Sequence, residues 1–118
     1  MKQIDSYLLF GCHLPKKLIE LITKNTSLHY FNSKIEKMYQ CKILSFLVPF
    51  HENFYQENYF LKIIPDYSSS SSILTYENIQ DILSEEKIKN FELLLETLEQ
   101  PKIKPYFTSI PIIRELDE

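Results

Sequence analysis

A chain of 118 residues with 44% hydrophobic and 25% charged side chains has the size and balance of one globular domain, which sets aside disorder of the whole chain. It has a single glycine, Gly11, where average usage would give roughly eight. That excludes the glycine-rich loops whose backbone N–H groups cradle phosphates, and with them the P-loop, the dinucleotide fingerprint and the kinase-type loop; the EF-hand calcium loop, whose sharp turn needs a glycine in the right place, is excluded too. The net charge of −3 is unevenly spread: residues 1–60 carry seven lysines against five acids, residues 61–118 six bases against eleven acids.

The first apolar run, Ile4–Cys12, reads as a strand buried on both faces and ended by Gly11. Leu14, Leu18, Leu21 and Ile22 then form one stripe of a short helix with Pro15 in its first turn. Asn25–Asn32 reads as a connection. Ser33 and Glu36 have the spacing of a capping box and start a second helix that runs to about Gln40. Cys41–Val48 reads as a strand that Pro49 stops, followed by a polar and aromatic loop, His51–Gln56. In the strand Asn58–Ile64, alternation puts Tyr59, Leu61 and Ile63 on one face and Phe60, Lys62 and Ile64 on the other.

Residues 66–74, with five consecutive serines, read as a flexible loop. Thr75 caps a helical segment with the stripe Ile79, Ile82, Leu83. Ser84 starts another with the stripe Ile88, Phe91, Leu94, Leu95, Leu98. Pro101 lies beyond its end. Ile103–Ile113 is a final strand that Pro105 and Pro111 confine to a sheet edge.

This order of elements predicts a single α+β domain, 1–118, built as a ferredoxin-like (split βαβ) sandwich. Its sheet has four mostly antiparallel strands with helices on one face. The second strand should be the other edge, yet it is almost continuously apolar, which predicts pairing with a second copy and a homodimer. No apolar run approaches the roughly 20 residues that cross a bilayer, and the N-terminus has no secretory pattern. The expected location is cytoplasmic, off the membrane, with Cys12 and Cys41 as reduced thiols.

Four groups of residues could carry chemistry. Cys12, His13, His29 and Cys41 are zinc-type ligands without a zinc-type spacing, so neither a metal nor a cofactor is expected. His51-Glu52 and His13 could move protons near neutral pH, but no third group stands at a recognisable spacing, and the expectation leans away from an enzyme. Tyr7, Tyr59 and Lys62, with Phe10 and Phe60 nearby, could stack and bind RNA, single-stranded DNA or a nucleotide on a sheet face. The acidic balance and the lone arginine, Arg114, disfavour that alternative.

The fourth group is the acidic helical segment between positions 77 and 99. Glu85, Glu86, Glu92, Glu96 and Glu99 are offset only by Lys87 and Lys89. Such a face steers association with a basic protein. The leading reading is therefore a non-catalytic interaction module of the inhibitor or immunity type. It would neutralise a basic partner through those glutamates, with Phe54 and Tyr55 as aromatic anchors.

Overall fold

The structure, a computed structural model, describes residues 2–51, 54–64 and 83–115. Among them the elements follow in the order β1 (Lys2–Leu14), α1 (Lys16–Thr23), α2 (Leu28–Tyr39), β2 (Cys41–His51), β3 (Phe54–Ile63), α3 (Glu85–Thr97) and β4 (Tyr106–Glu115). The fold is α+β. Its strands form one open antiparallel sheet in the order β2-β3-β1-β4, so both strands expected at the edges are there.

The outer pairings are long. β1 and β4 pair from Lys2↔Glu115 to Gly11↔Tyr106, and β2 and β3 from Cys41↔Ile63 to His51↔Phe54. The central seam is short: β1 meets β3 only from Gly11↔Lys62 to Leu14↔Tyr59. Gly11 does not end β1, as its sequence context suggests, but lies within it. A Cβ at this position would overlap the Leu61 carbonyl oxygen of β3. The one glycine of the chain thus allows the two backbones to touch where the halves of the sheet join.

The helices cover one face. There Phe10, Cys12, Ile43, Tyr59, Leu61 and Ile63 of the strands meet Leu18 and Ile19 of α1, Ile35 of α2 and Phe91, Leu94 and Leu95 of α3. Ser84 caps α3 as expected, its Oγ accepting from the Lys87 N–H at 3.3 Å, and the expected stripe faces the core. The serine-rich stretch 66–74 and the helix begun by Thr75 lie outside the described residues except for Leu83, which is exposed rather than part of a buried stripe.

α2 starts at Leu28, well before the expected Ser33, so Asn25–Asn32 is not a connection throughout. Ser27 is the cap, its Oγ accepting from the Tyr30 N–H at 3.1 Å. Leu28 and Phe31 pack this extra turn against the core, and Asn32 ties it to β2. Its buried amide donates to the Ile43 carbonyl at 3.0 Å and accepts from the Ile43 N–H at 2.8 Å.

That pair of bonds also explains β2. In an antiparallel strand, successive residues point their backbone groups to opposite sides. Ile43 points away from β3, so Ser45, Leu47 and Pro49 do as well. The N–H that Pro49 lacks is therefore no part of the ladder, and β2 continues through it to His51 rather than stopping. A register shift between Pro49 and His51 follows, and β3 begins at Phe54, so the loop expected over His51–Gln56 is much shorter.

On the other face, Leu9, Phe46 and Phe60 are buried with Leu44 and Val48 against them. No described helix packs there. Instead, Cα atoms of β2 and β4 come within 8 Å of each other although two strands lie between them. Since helices fill the opposite side, the sheet curls toward this one. No described helix is long and apolar enough to cross a membrane.

Candidate functional site

The helical period that turns Phe91, Leu94 and Leu95 inward turns Glu85, Glu86 and Glu96 outward. Glu92 is half-buried at the border. Glu99 is exposed just past the helix end, with a left-handed backbone of φ 57°. None of the five glutamates is in an ion pair with a described residue. Of the two lysines in this segment, Lys89 is exposed but Lys87 is buried, so it does not lie on the acidic face.

The helix itself treats these acids unequally. Glu85 and Glu86 sit in the first turn, where the dipole favours negative charge. Glu96 and Glu99 sit at the opposite end, where it disfavours them, and the last turn holds no base. Leu93 stands beside them 44% exposed, an apolar residue that the acid count did not single out. Its place could be read from the period, since it lies outside the Phe91, Leu94, Leu95 stripe.

The two expected aromatic anchors lie on a different element, at the tip of the β2–β3 pair. Phe54 is 67% exposed, Tyr55 is exposed, and Leu47 beside them is 53% exposed. A groove of about 980 Å³ runs from this tip to the start of α1, lined by Leu14, Pro15, Lys16, Tyr55 and Tyr59 among others.

The residues considered for nucleic acid do not form one surface. Tyr59 is 9% exposed in the helix-side core, with little ring face left for a base. Lys62 is half-buried on the opposite face, as alternation along β3 requires. Burial, and then the neighbouring charge of Lys42, lower the Lys62 pKa, while Glu36 works the other way. Tyr7 pairs with Ile110 in the β1–β4 ladder.

The cysteines and histidines do not converge either. Cys12 and Cys41 are free thiols buried on the helix side. His13 alternates to the other face, edge-on to the Phe60 ring at 5.1 Å, with its backbone N–H donating to the Tyr106 hydroxyl at 3.2 Å. His29 is exposed on α2. Among the described residues no three metal-ligating side chains gather. Burial raises Cys12 to about 11 and, with the Cys12 charge, Cys41 to about 12, so both stay protonated and unreactive at neutral pH. His51 closes β2, and Glu52 lies outside the described residues.

No family model matches this chain, and no curated protein or solved structure matches it either.

Proposed function

We propose that the chain is a ferredoxin-like sandwich that serves as a non-catalytic interaction module, docking a basic protein surface on the acidic side of α3. The strand order β2-β3-β1-β4, with helices on one face, supports the fold assignment. The observation that carries the functional reading is the pair Glu96 and Glu99. Both work against the dipole of their own helix, and Glu99 holds a left-handed backbone that disfavours a residue with a Cβ. Stability would select a cation or a glycine there. Carboxylates at that end serve an electrostatic purpose outside the chain.

On this reading Glu85, Glu86, Glu92, Glu96 and Glu99 steer a cationic partner, and Leu93 beside them supplies apolar contact. Phe54 and Tyr55 are a second, separate anchor. Competing readings lose support: Tyr59 is occupied in the core, and the His13 ring stands among the rings of Phe46, Phe60 and Tyr106.

The test is amide NMR of the full chain titrated with poly-L-lysine. Shifts should concentrate on α3 and the residues just past it, from Glu85 to Glu99. The triple variant Glu92→Lys, Glu96→Lys, Glu99→Lys should abolish them while keeping the fold. Shifts spread evenly over the surface, or unchanged in the triple variant, would overturn the reading.

A further inference from the structure

The outer edge of β2 is closed at two points. Asn32 takes both backbone groups of Ile43, and Pro49 has no N–H to offer. Between these stops, Ser45 and Leu47 direct their N–H and C=O groups outward by the alternation of the strand. Both residues are exposed, whereas Ile43 is buried, so the cover provided by α2 ends between them. Edges of this kind are ordinarily blunted by charge. From Leu44 to Phe50 this strand has none.

We propose that this open stretch pairs with the same stretch of a second copy, antiparallel about Leu47, making the chain a homodimer with one sheet continuous across the two-fold axis. The placement of the stops argues for a second copy as the occupant. Pairing about Leu47 sets Leu47 against the partner's Leu47, and Ser45 against the partner's Pro49. The Ser45 N–H then meets the partner's Pro49 carbonyl, and the missing proline N–H falls at the margin of the paired stretch on both sides. At the Ile43 stop a guest strand finds both backbone groups already taken.

The side chains agree with this register. Leu47 meets its own copy on one face, while on the other Phe46 and Val48 lie opposite the partner's Val48 and Phe46. None of these three is charged, and the Glu57 carboxylate across from Leu47 on β3 is engaged by the Ser45 hydroxyl at 2.7 Å. Pairing here also brings the exposed Leu47, and the groove beside it, toward cover.

Sedimentation equilibrium of the full chain, over a concentration series, should give a species of twice 14.1 kDa. Leu47→Lys sets two ammonium groups across the axis and should sediment as a monomer with unchanged circular dichroism. Leu47→Cys is the second arm. A hydrogen-bonded antiparallel pair holds its Cα atoms about 5.5 Å apart, within disulfide reach. It should therefore cross-link under mild oxidation, while Leu93→Cys on α3 should not. A wild type that stays monomeric throughout, a dimer that survives Leu47→Lys, or a Leu47→Cys that fails to cross-link would overturn the proposal. None of these outcomes bears on the α3 glutamates, whose response to poly-L-lysine should persist in Leu47→Lys.

Discussion

On one face of the sheet, Phe91, Leu94 and Leu95 of α3 close over a row formed by Cys12, Leu61 and Ile43. On the other, Phe60 is buried as completely, at 0% exposure, with no described helix above it. The first face is built from amphipathic stripes, which are local in sequence. The second depends on the curl of the sheet, which brings Phe46, His13 and Tyr106 around Phe60 from three other strands. Both rest on the same short seam between β1 and β3. Equal burial has been reached by two routes, one set by side-chain periodicity and one by backbone geometry.

Gly11→Ala breaks both faces at once, because the added Cβ overlaps backbone rather than a side chain that could move aside. The expected loss exceeds about 4 kcal/mol, a large part of any small domain's stability. It would be read as loss of a cooperative urea transition. A variant with wild-type stability would show that the seam can open without cost. The next largest effects separate the faces. Phe91→Ala and Phe60→Ala should each cost about 3–5 kcal/mol by urea denaturation, with Phe91 at the upper end. Helices resting on a sheet cannot readily fill the space Phe91 leaves, whereas curled strands can close part of the space left by Phe60. A cost under about 1 kcal/mol for Phe60→Ala would mean that its site collapses fully, and the second face would then be a surface rather than a core.

The same division decides what could be read from the sequence. Ser84 and the stripe Ile88 to Leu98 were legible because a helix writes its cap and its buried side within a few consecutive turns. The exposed glutamates followed from that stripe. The edge positions of β2 and β4 followed from element order and from the prolines in β4. What escaped was set by contacts distant in sequence. Leu28–Asn32 has little intrinsic helical preference, and it is held by the packing of Leu28 and Phe31 on the core and by Asn32's tie to Ile43. Pro49 reads as a stop unless the side of the strand it faces is known. Gly11 reads as a terminator unless the Leu61 carbonyl is in view. The grouping of Tyr59 with Lys62 failed although their alternation was visible, since two residues an odd number apart on a strand cannot share a face.

The buried thiols sharpen the contrast through pH. Cys12 and Cys41, both on the helix side, sit at about 11 and about 12 against an ordinary 9.0. A raised folded pKa means that this contribution is complete below 9. It falls as pH rises through the interval up to the folded values, because only unfolded thiols ionise freely there. Urea midpoints should therefore drop above pH 9, by less than either phenylalanine truncation over the first unit. Cys12→Ala should lower the baseline but flatten the drop. An unchanged slope would place the alkaline sensitivity elsewhere.

Lys62 gives the smallest effect and the opposite sign. It stands on the second face directly across from Lys42, whose own partner is Glu36 at 3.9 Å. Half-buried and beside a like charge, Lys62 has its pKa lowered from 10.5, so its charged form costs stability at neutral pH. That cost is lifted as pH rises through the folded pKa toward 10.5, against the trend of the thiols. Lys62→Met should therefore stabilise the chain by roughly 0.5 kcal/mol at neutral pH and remove that alkaline gain. A loss of stability instead would mean that its stem packs for more than its charge costs. A gain confines the electrostatic penalty to the face without described helices, where the same substitution also extends the apolar cluster around Phe60.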